Sequence, residues 1–161
     1  GEGCDSKLSV KAQPGGTVHI NGLRFGATPI ERTICKRGRY LVRVIHDEAI
    51  PWQQVVTFSG QAKLAVRADL IPRRNRPADA MVIHSVPDNA VVFVNGVEIG
   101  LAPVMFRTSQ FPARQKQQKG QKGKAGRLRV GLWTPNHKGR SLSIRTARDA
   151  WIHLAKLSGG K

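Results

Sequence analysis

Polar and apolar positions in this chain alternate with a period of two. Leu8, Val10 and Ala12 alternate with Lys7, Ser9 and Lys11, which predicts a half-buried strand that stops at Pro14-Gly15-Gly16. Val18 and Ile20 predict a second strand with both side chains inward, and Asn21-Gly22 then turns the chain. Asn-Gly suits a type I′ hairpin because both central residues need positive φ. Arg24-Phe25-Gly26-Ala27-Thr28-Pro29 continues as a brief strand ending in a proline-marked bend. Past Ile34 and the basic turn Lys36-Arg37-Gly38, Tyr40, Val42 and Val44 alternate with Leu41 and Arg43. Val55, Thr57, Leu64, Val66, Ala68 and Leu70 complete a module of short strands. No segment sustains a helical period, so the predicted class is all-β.

The module then recurs. Pro14-Gly15-Gly16-Thr17-Val18-His19-Ile20-Asn21-Gly22 and Gly26-Ala27-Thr28-Pro29 return as Pro87-Asp88-Asn89-Ala90-Val91-Val92-Phe93-Val94-Asn95-Gly96 and Gly100-Leu101-Ala102-Pro103. From Asn-Gly onward the offset is a constant 74 residues. Upstream, Val10 to Pro14 echoes Ile83 to Pro87; downstream, Gly38-Arg39-Tyr40-Leu41-Val42 echoes Gly126-Arg127-Leu128-Arg129-Val130. A period this long, with turn residues in register, predicts two copies of one fold. The expected boundaries are a first domain at 1–72, a Pro/Arg linker at 73–79, a second domain at 80–158 and a tail at 159–161. Relative to the first copy, the second carries a polar, glycine-rich insertion at 112–125, expected to be a loop.

Charge separates the copies. Residues 1–72 hold ten Lys/Arg against six Asp/Glu, whereas residues 73–161 hold seventeen against four, within a net charge of +17. Basicity thus belongs to the linker and second copy and is not inherent in the repeat. Such a field favours polyanionic partners: nucleic acid, anionic glycan, envelope phosphates or acidic membrane surfaces. The candidate polyanion-binding residues are Arg114, Lys116, Lys119, Lys122, Lys124, Arg127 and Arg129, with Arg73, Arg74 and Arg76 of the linker; the bland alternative for the insertion is a solvated loop with no partner. Nucleic acid is the weaker fit, because the insertion lacks interleaved aromatic residues.

Two cysteines, Cys4 and Cys35, both fall in the first copy. They read as a disulfide tying the N-terminal lead-in to that module, or as two unrelated buried thiols. Two cysteines confined to one small domain suit an oxidising compartment. No apolar run approaches the roughly 18–20 residues that span a bilayer as a helix. The chain begins at Gly1 and lacks a signal peptide, which reads as a portion of a longer protein.

The second copy resembles the PEGA domain. In that family a strand ends in Pro-Glu-Gly-Ala, and Val-x-Val-Asp-Gly, Gly-x-x-Pro and a later Gly-x-Tyr-x-Val strand follow. Pro87-Asp88-Asn89-Ala90, Val92-Phe93-Val94-Asn95-Gly96, Gly100 and Pro103 match in order. The first copy fits through Asn21-Gly22, Gly26-Ala27-Thr28-Pro29 and Gly38-Arg39-Tyr40, but its Pro14-Gly15-Gly16-Thr17 is one residue short and lacks the acidic position. The resemblance implies two small β-sandwich modules of a kind found in tandem outside the cytoplasmic membrane of bacteria and archaea. They occur in surface-layer and cell-wall proteins and on the outer side of membrane-anchored serine/threonine kinases. It implies no catalytic residues.

Other chemistry is sparse. His19, His46, His84, His137 and His153 are scattered without metal-ligand spacing. Gly120-Gln121-Lys122-Gly123-Lys124 shares only composition with a phosphate loop. Asp47-Glu48 reads as a solvated hairpin turn rather than a carboxylate dyad. Trp52, Trp133 and Trp151 could stack on sugars or bases, with core or rim packing the blander reading for Trp52. The expectation is a non-enzymatic extracytoplasmic binding or spacer module, without cofactor or metal, in the periplasm or at the cell surface. Its partner would be an anionic envelope polymer or an envelope protein. The alternatives are the sensor region of a membrane-anchored kinase, or a cytoplasmic polyanion- or nucleic-acid-binding protein.

Overall fold

A computed structural model describes residues 4–111, 126–146 and 150–160. The chain forms two compact units, residues 1–76 and 77–161. The first contains β1 (Lys7–Gln13), β2 (Thr17–Ile20), β3 (Leu23–Ala27), β4 (Ile30–Thr33), β5 (Gly38–Ile45), β6 (Trp52–Phe58) and β7 (Lys63–Asp69). The second contains β8 (Ala80–Val86), β9 (Val91–Val94), β10 (Val97–Leu101), β11 (Val104–Arg107), β12 (Arg127–Trp133), β13 (Arg140–Arg145) and β14 (Ile152–Lys156). Two short 3-10 turns, Arg73–Asn75 and Thr108–Gln110, are the helical segments among the described residues. The fold is all-β.

In each unit a three-stranded sheet faces a four-stranded one. The orders are β4-β1-β7 and β3-β2-β5-β6 in the first unit, and β11-β8-β14 and β10-β9-β12-β13 in the second. The two topologies are the same, strand for strand. All neighbours are antiparallel except the first and last strands of each unit, β1 with β7 and β8 with β14, which run parallel.

Alternation decides what each sandwich buries. Leu8, Val10, Val18, Ile20, Val42, Val44, Val66 and Ala68 meet in the first core. Ile83, Val92, Val94, Leu128, Val130, Leu132, Ile144 and Ala155 form the second. β6 is in the opposite phase to the Val55/Thr57 reading. Val56 and Phe58 pack against or within the core, while Val55 is exposed. Arg43, read as the polar member of an alternating strand, is itself buried.

The Asn-Gly pairs form equivalent hairpins. Asn21 and Asn95 have φ of 50° and 49°, and each turn joins two antiparallel strands, β2 to β3 and β9 to β10. Just beyond, the register slips by one residue, so that Phe25 and Ile99 stand opposite no partner in β2 or β9. These bulges aim both side chains at the cores. Gly26 and Gly100 follow them with φ of 134° and 140°, a conformation that a side chain would strain. Pro14, Pro29, Pro87 and Pro103, all at matching places in the two units, follow cis peptide bonds.

Candidate polyanion-binding surface

Because Leu128, Val130 and Leu132 of β12 turn inward, period-two alternation throws Arg127, Arg129, Gly131 and Trp133 onto the outer face of the four-stranded sheet. Register extends that face sideways. Arg127 stands opposite Arg145, Arg129 opposite Ser143 and Gly131 opposite Ser141 on β13. On the other side Gly131 stands opposite Phe93, and Trp133 opposite Val91, on β9. Arg127 and Arg129 are exposed, and neither takes part in the ion pairs Arg67–Asp69 and Arg107–Asp79. Glu98, across from Phe93 on β10, brings one carboxylate to the same face. Of the three tryptophans, Trp133 is exposed, whereas Trp52 and Trp151 are half-buried and pack against the cores.

By charge density Arg127 and Arg129 belong with the insertion; the sheet groups them with Gly131 and Trp133. The signal was present in the alternation of Leu128, Val130 and Leu132, which fixes the outward set. Arg114, Lys116, Lys119, Lys122 and Lys124 lie outside the described residues. Arg73, Arg74 and Arg76 belong to the first unit. The Arg73 N–H donates to the Glu48 carbonyl at 2.9 Å, and an open cleft of about 630 Å³ is lined by Arg73, Arg74, His46, Asp47 and Glu48. Arg73 and Arg74 share this cleft with the two carboxylates of Asp47 and Glu48, so its charge is balanced, whereas the β12 face sets one carboxylate, Glu98, against Arg127 and Arg129.

Elsewhere in the second unit, Asp79 receives hydrogen bonds from the Ser109 N–H at 3.2 Å and from Arg107 Nε at 3.0 Å. The Ser109 bonds first, and then Arg107, hold its carboxyl well below the usual carboxylate range. This ties the lead into β8 to the end of β11 and is structural. Among the described residues no group of three His, Cys, Asp or Glu side chains is placed to hold a metal ion.

Cys4 and Cys35 are bonded, with their Cα atoms 5.1 Å apart. The bond extends a ladder: Lys7 pairs with Thr33, the Ile34 N–H then donates to the Ser6 carbonyl at 2.9 Å, and the disulfide follows. It closes a separation of 31 residues, a stabilisation of roughly 3–4 kcal/mol in the chain-entropy model.

No curated protein matches the chain. Among solved structures, the Bacillus anthracis TIE protein aligns with 96% of this chain and 33% of its own length, at 10% identity and a TM-score of 0.29. The chain therefore spans about a third of that structure. The family match falls on the first unit, whose opening turn departs from the motif. Residues 6–74, from the lead into β1 to the 3-10 turn after β7, match the sequence model of the PEGA domain.

Proposed function

We propose that this chain is a non-catalytic binding and spacer module working outside the cytoplasm, with a basic second unit that meets an anionic polymer of the cell envelope. The second unit repeats the topology of the PEGA domain in the first, so the pair is read as a tandem. The carrying observation is the partition of charge. Within one shared topology, the second copy and its lead-in hold seventeen Lys/Arg against four Asp/Glu, and Arg127 and Arg129 stand exposed on a sheet face. An excess confined to one of two copies is a property of surface rather than of fold. The Cys4–Cys35 bond supports an oxidising compartment.

The test is sedimentation of the chain with purified envelope polymer across a salt series. Binding through counterion release weakens steeply as salt rises. Replacing Lys116, Lys119, Lys122 and Lys124 by Gln should remove much of that salt-sensitive component without changing the melting temperature. A chain that fails to sediment with the polymer even at low salt would defeat the proposal.

A further inference from the structure

Gly131 sits in the middle of β12, a strand paired on both sides, and its cross-strand neighbours are Phe93 and Ser141. A β-carbon built there would lie 3.8 Å from the Phe93 Cβ, an ordinary contact, and the backbone is not in the left-handed region. Neither packing nor conformation asks for glycine. The fold does not ask for it either, since Arg43 holds the corresponding place opposite His19 in the first unit. Glycine inside a strand gives up side-chain packing, and where no bulge or bend explains it, it marks a close approach to the backbone. The approach here is from the outer face. Trp133, 51% exposed, lies two residues along the strand, with Phe93 beside the glycine and Arg129 and Arg127 continuing the row.

We propose that this face binds a linear anionic polysaccharide, an inference that rests on the reading of the chain as an envelope-polymer binder. A sugar ring lies flat on the bare backbone at Gly131, its apolar C–H face against Trp133 and Phe93. The ring's acidic group, and that of a neighbouring sugar, reach Arg129 and Arg127. Outward residues recur about every 7 Å along a strand, so cations and stacking surface fall in a row that an extended polymer can follow. Aromatic and arginine side chains on a sheet also suit single-stranded nucleic acid. The disulfide, which belongs to oxidising compartments, favours the glycan.

The experiment uses the full chain and three probes: polygalacturonate, a neutral glucan of similar length, and a 15-mer of oligo-dT, each followed by calorimetry and tryptophan fluorescence. The expected order is polygalacturonate tightest. Gly131→Thr should weaken polygalacturonate binding about tenfold or more while leaving the melting temperature unchanged or higher. Trp133→Ala should match that loss, and Arg127→Gln with Arg129→Gln should reduce both affinity and its salt dependence. If Gly131→Thr and Trp133→Ala bind as the parent does, the face is not the site; loss on the four-lysine replacement would then leave the broader reading standing. If the parent chain ignores polygalacturonate and purified envelope polymer alike, the broader reading fails as well. Tighter binding of oligo-dT, or equal binding of the neutral glucan, overturns the assigned partner class.

Discussion

Asn21 holds Leu41 twice. Its N–H donates to the Leu41 carbonyl at 2.9 Å, and its side-chain Oδ1 accepts from the Leu41 N–H at 2.9 Å. Asn95 repeats the arrangement with Arg129, at 2.8 and 3.1 Å. The asparagine of each Asn-Gly turn therefore does more than tolerate positive φ: it pins the hairpin to the next strand of the sheet, β5 or β12.

Asn21→Gly separates these roles, since glycine keeps the turn conformation and removes the acceptor. It should lower the stability of the first unit by about 1 kcal/mol, or roughly 4–8 °C in melting temperature for a domain of this size. Asn21→Asp, which keeps the oxygen, should lose less. Calorimetric melting of the two variants side by side decides it; equal melting of Asn21→Gly and the parent would mean that the side-chain bond contributes nothing.

Reduction should act on one unit alone. Breaking the Cys4–Cys35 bond, or replacing both residues by Ser, should cost the first unit roughly 3–4 kcal/mol and leave the second unchanged. Hydrogen exchange with and without reductant resolves the two units. Faster exchange in β12 or β9 on reduction would contradict it.

Acid should act on the other unit. Asp79 has its carboxyl held below the ordinary range by Ser109 and Arg107, so the ionised form is favoured in the fold. A lowered native pKa contributes stability that is present above the unfolded value, near 4, and lost as pH falls below it. Asp79→Asn should therefore destabilise the second unit at neutral pH and flatten its stability between about pH 4 and pH 2. The cost is expected near 1 kcal/mol, because Arg107 is half exposed and screened by solvent. Urea midpoints across that range, parent against variant, check both the sign and the window.

Strands and hairpins were legible because alternation and Asn-Gly are local signals. The parallel pairing of β1 with β7 was not, because nothing in either segment names its partner; only closure of the core chooses it. The opening turns were half legible. In the second unit Ser85 is buried, donating its hydroxyl to the Pro87 carbonyl at 2.7 Å and accepting from the Ala90 N–H at 3.3 Å. The first unit has Ala12 at that place and uses Thr28 instead, whose hydroxyl accepts from the Gly16 N–H at 2.9 Å. A β-carbon on Gly16 would lie 2.6 Å from the Ile45 carbonyl oxygen, so the shorter turn presses its backbone onto β5. That compensation needs contacts far apart in the chain, and a motif comparison sees only one turn missing a residue. The outward row on β12 is readable from the alternation of Leu128, Val130 and Leu132, but charge density alone groups Arg127 and Arg129 with the neighbouring run of lysines, because net charge carries no information on strand phase.

The parallel pairing also decides how each unit bears load. Adjacent parallel strands that begin and end a module put its entry and exit at opposite ends of the same ladder. A pull along the chain then loads the seven residue pairs between β1 and β7 together, in shear, instead of peeling them one after another. Stretching the first unit from its two ends in an optical trap, with the Cys4–Cys35 bond reduced so that the whole force enters through β1, should show one abrupt yield rather than stepwise unzipping. A module wired this way hands tension from one neighbour to the next while its sheet faces stay intact, and a surface on such a face keeps its grip while the chain is under strain.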